Sequence, residues 1–272
     1  MAIMRWLGGK TRHLDTILPC LPSRCETFVE PMCGTAAVGL AMAGAGRCER
    51  LVLADVNARL VNLLRVVQST PTSLVMELAA RAAVYNGELD QQPGVYAEWC
   101  AEMNEGTTGL RNAALMLLTN VTTFNALYRE NASGRFNAPW GKRRSVNVEL
   151  LAANVRETHH LLNLVETTIE HVDYRNLMVS GADVCYFVDS PYDDTFGSYS
   201  ANKWGPTEQV SLALHLKKLS RGAVVFATNS DTPRVRALYS GCSMNEISGQ
   251  TSISCNNEGR GRQPELLIEV RP

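Results

Sequence analysis

Hydrophobic and polar positions divide the chain into three parts. In the first, short apolar runs alternate with helical periods. Thr27-Phe28-Val29-Glu30 reads as a buried strand, followed by a small-residue loop and an apolar helix from about Ala36 to Ala45. Leu51-Val52-Leu53-Ala54 reads as a second strand ending at Asp55, and Leu60, Leu63, Leu64 and Val67 recur at the spacing of one helix face. Such alternation predicts an α/β fold, a parallel sheet with crossover helices. From about Ala58 to Glu170 the pattern turns helical, with no run resembling a central strand. Leu110 to Thr119 and Val148 to Leu164 are its clearest helices. Between them, residues 125–141 (NALYRENASGRFNAPWG) place a turn signal, Asn131-Ala-Ser-Gly134, between two short arms, and predict a β-hairpin. Strands return at Val184–Val188, Ala223–Ala227 and Leu266–Val270. The pattern thus predicts an α/β domain of residues 1–57 and 170–272, interrupted by a mainly helical insert of residues 58–169.

Composition narrows the class without changing this picture. The 272 residues are 45% hydrophobic and 19% charged, which excludes disorder, collagen and coiled coil as the main architecture. No apolar run approaches the roughly 18 residues that span a bilayer, and no signal peptide opens the chain. The eight cysteines form no CxxC and stand at no zinc-like spacing from a histidine, so they read as reduced, buried thiols of a cytosolic protein, with no metal site. The net charge of −1 argues weakly against a protein that coats nucleic acid. That average hides an asymmetry. Within residues 129–144, Arg129, Arg135, Lys142, Arg143 and Arg144 stand against Glu130 alone. A basic hairpin therefore sits on an acidic remainder.

Three places carry chemistry. Phe28-Val-Glu-Pro-Met-Cys-Gly-Thr-Ala36 is a strand, a tight glycine loop and a helix start, the arrangement with which α/β folds cradle nucleotide-like ligands. An ordinary βα turn would look the same. Asp55, at the end of the second strand, is placed to bind ribose hydroxyls, or to cap the next helix. Asp189-Ser190-Pro191-Tyr192 brings a carboxylate, a kinked backbone and an aromatic ring to the C-terminal end of a strand. The Asp189 carboxylate and the Ser190 carbonyl can both accept from an exocyclic amine, while the Tyr192 ring can stack on a planar base.

Taken together these motifs resemble the DNA adenine methylase family of N6-adenine DNA methyltransferases, the D12 class. The resemblance runs through nearly the whole chain, from RWLGGK at Arg5 through FVEPMCGTAAV, LADVN, NALYRENASGRFNAPWGK and FVDSPYDDTFGSY to RQPELLIEV. It implies a Rossmann-like, S-adenosylmethionine-dependent methyltransferase sheet with an inserted target-recognition domain carrying the hairpin. It also implies roles. Asp189, Ser190, Pro191 and Tyr192 match the catalytic tetrapeptide, usually Asp-Pro-Pro-Tyr. Trp6, Lys10, Asp55 and Asp189 fall where the family binds S-adenosylmethionine, and the loop with Glu30, Pro31, Cys33, Gly34 and Thr35 matches the methionine side. Leu127, Arg129, Asn131 and Pro139 match the DNA-reading hairpin. Arg135, Lys142, Arg143 and Arg144 supply its positive charge, and Lys10 lies near a position from which relatives touch DNA. There are two departures. Gly34-Thr35-Ala36 replaces the usual Gly-Ser-Gly, and Ser190 replaces the first proline of the tetrapeptide, losing a fixed φ.

The implied activity is methyl transfer to the adenine N6 amine in duplex DNA at a GATC-like site, with the target base flipped out. The implied enzyme is a monomer acting in the bacterial cytoplasm, whether encoded by the bacterium or by a phage. Phe196 and Tyr199 are candidates either for the pocket wall or for core packing. Two rival readings remain: a methyltransferase of RNA or protein amides, and a DNA-binding relative that has lost catalysis. Maintenance marking, restriction–modification and phage protection would all use this chemistry.

Overall fold

A computed structural model describes residues 2–87, 89–179, 181–193, 204–248 and 264–272. Phe196, Tyr199 and Cys255 lie outside the described residues. Among the described residues, seven strands form one sheet in the order β3-β2-β1-β4-β5-β7-β6. These are β1 Cys25–Glu30, β2 Cys48–Asp55, β3 Glu166–His171, β4 Val184–Asp189, β5 Val224–Ser230, β6 Ser243–Ser248 and β7 Pro264–Glu269. The first five positions are parallel, and β7 runs antiparallel between β5 and β6. Phe28, Val29, Leu51, Leu53, Cys185 and Val188 are completely buried. The central strands are covered on both faces, which is why they read as continuous apolar runs.

The helices are α1 Leu14–Ile17, α2 Ala37–Gly44, α3 Ala58–Ser69, α4 Pro71–Gly87, α5 Gln92–Met103, α6 Gly109–Thr122, α7 Val148–Leu162, α8 Pro206–Leu219 and α9 Pro233–Leu238. One apolar core joins α2 through α7 to one face of the sheet, and a second packs α8 and α9 on the other. Among the described residues no helix is long and apolar enough to cross a membrane.

Two strands were not expected. β3 and β6 lie at the sheet's two edges. β3 begins at Glu166, inside the stretch expected to be helical, so the second expected domain boundary falls within a strand. α3 is tied to it, because Arg65 donates to the Ile169 carbonyl at 2.7 and 2.9 Å. The described cysteines are free thiols, as expected. Burial was expected of them all, but Cys20 is exposed, and Cys100 and Cys242 are half-buried.

In an open α/β sheet the ligand crevice lies beyond the carboxyl ends of the strands, where neighbouring strands run off in opposite directions. That point here is between β1 and β4. β1 ends at Glu30, β4 at Asp189, and β2 beside β1 at Asp55.

Candidate active site and nucleic-acid interface

The turn after β1 is built around two glycines. Gly34 has φ +52°, and a Cβ there would meet Trp6 Cδ1 at 3.3 Å. Its N–H donates to Asp55 Oδ2 at 3.0 Å. At Gly39 in α2 a Cβ would lie 2.6 Å from Glu30 Oε2, so only glycine lets its N–H reach that oxygen, at 2.8 Å. Glu30 is buried, and desolvation pushes its carboxyl from the ordinary 4.5 up to about 8. Asp55 is also raised by burial, against hydrogen bonds from the Asn57 and Gly34 amides. Asp55 is not the helix cap. Asn57 is, accepting from the Arg59 and Leu60 amides at 3.1 Å each. The capping alternative therefore fails, and Asp55 instead ties the glycine loop to the end of β2.

Asp189 stands across the crevice. Its Oδ1 accepts from Thr228 Oγ1 at 2.6 Å and pairs with Lys10 Nζ at 2.8 Å. Lys10 is buried, also donates to the Gly8 carbonyl at 2.6 Å, and lies 4.9 Å from the centre of the Tyr192 ring. Tyr192 donates its hydroxyl to Glu265 Oε2 at 2.9 Å. The expected cofactor-side and catalytic residues are thus gathered on one rim. Pro31, Cys33 and Thr35 are buried in the turn beneath it. Ser190 is also buried.

Trp6 connects this rim to the hairpin. Its ring packs on Tyr128, centroids 5.2 Å apart, and Tyr128 packs on Phe136 at 5.6 Å. Tyr128 donates its hydroxyl to Glu130, whose carboxylate pairs with Arg59 of α3 at 2.7 Å in a mostly buried bridge. The hairpin holds two registers. Glu130 bridges Phe136, with Asn131 N to Arg135 O and Asn137 N to Arg129 O around it. Nearer the base, Thr123 bridges Trp140, with Phe124 N to Pro139 O. The registers differ by three residues, absorbed in a turn where Asn125 and Ala126 both have positive φ. The expected arms are present, but as bridges rather than strands.

The helical insert grips this hairpin by its backbone. Asn104 of the α5 terminus accepts from Phe136 N at 2.7 Å and donates to Phe136 O at 2.9 Å, standing in for a partner strand. Tyr96 donates to Ala138 O, Tyr85 to Arg143 O and Gln92 to Arg144 O. The side chains are left outside. Arg129, Arg135, Lys142, Arg143 and Arg144 are all exposed, as are Asn131 and Pro139, while Leu127 is half-buried. Glu130 is neutralised from behind by Arg59, so the exposed face is more basic than the sequence count suggested. Arg129 is folded onto Asn137, donating to its side-chain and backbone oxygens at 2.9 and 2.6 Å. Asn131 Oδ1 closes the turn, accepting from Ser133 N, Ser133 Oγ and Arg135 N.

Sequence reasoning missed Thr228, Glu265, Arg59, and the Gln209–Asn229 pair that holds the segment after Asp189. One signal was available. Thr228-Asn229-Ser230 is a polar run ending a buried strand, at the same sheet edge as Asp189.

A profile of the family described as D12 class N6 adenine-specific DNA methyltransferase matches residues 6–253. The chain is 26% identical over 276 residues to the DNA adenine methylase of Haemophilus influenzae, covering 97% of this chain and 91% of that one. It is 28% identical over 283 residues to the DNA adenine methylase of Escherichia coli K12, covering 100% and 95%. A DNA N-6-adenine-methyltransferase of Escherichia phage P1 is 32% identical over 277 residues, covering 98% of this chain and 35% of that longer protein.

Proposed function

The chain belongs to the D12 class N6 adenine-specific DNA methyltransferase family, and on that premise we propose that it transfers a methyl group from S-adenosylmethionine to the N6 amine of adenine in duplex DNA, at a GATC-like site. One observation carries the reading: Asp189, next in the chain to Ser190 at the end of β4, is held through Oδ1 by Thr228 and Lys10, on the rim that Trp6 joins to the basic hairpin.

The crevice suits the cofactor chemically. Glu30 is buried and Asp55 half-buried, and desolvation raises both carboxyls, so a cation or a pair of hydroxyl donors there would offset that cost. Trp6, Lys10, Glu30, Gly34, Asp55 and Asp189 would hold S-adenosylmethionine. When bound, it supplies an electrophilic sulfonium methyl.

The residues do the rest by positioning. An adenine amine is a poor nucleophile because its lone pair is delocalised into the ring. Donating its two N–H bonds to the Asp189 carboxylate and the Ser190 carbonyl would turn the nitrogen toward tetrahedral geometry and free that pair. N–C bond formation would be balanced by loss of the methyl's C–S bond, its electron pair leaving with a neutral thioether, and the amine would then carry one proton too many, for which Asp189 is the acceptor at hand. The target atom lies inside the stack, so the base must flip out, and Tyr192 offers it a ring. Arg129 would fork onto a guanine and Asn131 onto a base edge. Both must first give up hairpin contacts, which makes their freed donors and acceptors conditional on DNA. We assign the helical insert from α3 to α7, with its hairpin, to recognition, and the sheet, β3 included, to catalysis.

Methyl transfer from labelled cofactor to a panel of DNA duplexes, with RNA and protein as parallel substrates, tests the reading. Modified adenines are expected within GATC-like sites. No transfer to any GATC-containing duplex would refute that specificity, and transfer to RNA or protein alone would refute the DNA reading.

A further inference from the structure

The mechanism needs the Ser190 carbonyl to point at the amine, yet Ser190 has no ring to fix its φ. Pro191 fixes its own φ and keeps Ser190 out of the helical region, a looser restraint than a ring at Ser190 itself would be. Two amide side chains lie against this segment, Gln209 of α8 and Asn229 of β5, each 1% exposed. Gln209 Nε2 donates to the Pro191 carbonyl at 2.8 Å, and its Oε1 accepts from Asn229 Nδ2 at 3.0 Å. Asn229 Oδ1 in turn accepts from the Asp193 amide at 3.1 Å. Asp193 is held further by Thr232 Oγ1 at 2.9 Å and by the Arg234 guanidinium. Asp189 is locked in the β4–β5 ladder opposite Thr228. Residues 190–192 therefore hang between a ladder and a braced amide, with the Pro191 carbonyl pinned between them.

Burying two primary amides between a helix and a sheet is costly unless their polar atoms are paired, and apolar residues would pack there at least as well. Among the described residues, the side-chain bonds of this pair run to the segment after Asp189, to β5 or to each other.

We propose that Gln209 and Asn229 are positioning residues, a buried amide brace that orients the Ser190 carbonyl in place of the backbone restraint that serine lacks. The inference rests on the methyl-transfer reading above. Neither residue needs to touch substrate.

Two readouts separate the brace from that reading. The first is amide exchange. In Gln209→Met, exchange at Asp193 quickens at least about 10-fold, while β1 and β2 keep their protection. The second is kinetic. Gln209→Met lowers kcat for methyl transfer about 10- to 100-fold, with KM for S-adenosylmethionine within about twofold. In a Ser190→Pro background the same substitution costs less than about threefold, because the ring restores part of the restraint. Asn229→Ser serves in the same cycle if Gln209→Met does not fold. Unchanged exchange at Asp193 overturns the brace, as does an equal kcat loss in both backgrounds. Faster exchange in a protein whose unmutated form transfers no methyl to DNA keeps the brace and sinks the methyl-transfer reading instead.

Discussion

The rim of β1, β2 and β4 and the hairpin of residues 123–141 handle polar groups in opposite ways. At the rim the functional side chains are themselves held, Glu30 fully buried and Asp55 and Asp189 half-buried: Glu30 by the Gly39 amide, Asp55 by Gly34 and Asn57, Asp189 by Thr228 and Lys10. At the hairpin the backbone is held, by Asn104, Tyr96, Tyr85 and Gln92, and the cationic side chains stay in solvent. The difference follows from the two tasks. Turning an amine toward a methyl group demands fixed acceptors in a dry site. Reading a duplex demands side chains that can reach and exchange partners, on a backbone that keeps their register. The rim should therefore answer to single atoms and to pH, and the hairpin to sequence and to salt.

The largest effect should come from breaking the rim. Asp189→Ala is expected to bring methyl transfer below detection on every duplex alike, with DNA binding retained. Activity near the unmutated level would remove Asp189 from the mechanism. Arg59→Met or Glu130→Ala attacks the opposite side, where a mostly buried ion pair backs the hairpin. Either leaves a charge without its partner and should cost about 3–5 kcal/mol of stability in denaturant unfolding. The double substitution should cost less than the sum. If single and double losses simply add, the pair is not coupled.

The comparison also separates what was legible in the sequence. The β1, β2, β4 and β5 strands were legible because both of their faces are covered, and the apolar runs said so. β3, Glu-Thr-Thr-Ile-Glu-His, buries only Ile169, and β6 is similarly polar in sequence. Edge strands have too few buried positions to leave a period. The acids at the strand ends were legible because a strand delivers its last side chain to the crevice. Their supports were not. Gln209 looks like the polar face of a helix, and only the approach of α8 to β5 makes it a buried donor to the catalytic segment. At the hairpin the arms and turn were legible. The three-residue register offset was not, since it lives in the positive φ angles of Asn125 and Ala126, residue types that do not require them.

A smaller effect should sharpen specificity. Arg129→Ala is expected to lose about 1–3 kcal/mol of discrimination between cognate and altered sites while total methyl transfer on cognate DNA falls less. Competition between duplexes differing at one base pair measures it. Uniform weakening across all sites would make Arg129 a backbone contact.

The pH response belongs to the rim. Glu30 is raised from the ordinary 4.5 to about 8 in the folded protein. Between these values the folded state binds a proton that the unfolded chain has lost, so the contribution of Glu30 to stability is fully present below about 4.5 and is lost as pH rises through about 8. Asp55 is shifted in the same direction. The melting temperature of the ligand-free protein should fall across that window, and Glu30→Gln should flatten the decline. A profile unchanged by Glu30→Gln would assign the titration elsewhere.

The salt response belongs to the hairpin and is the gentlest test. Arg129, Arg135, Lys142, Arg143 and Arg144 are exposed, and Glu130, the one acid among them, is paired inward to Arg59. With Arg129 on a base, and if Arg135, Lys142, Arg143 and Arg144 each neutralise one phosphate, log affinity against log salt should slope at about −3.6. Each of Lys142→Ala, Arg143→Ala and Arg144→Ala should flatten it by about 0.9 without changing site preference, because phosphate contacts carry no sequence. A slope near −10 would mean that the acidic body also meets the backbone, and the division between a dry rim and a wet basic hairpin would fail.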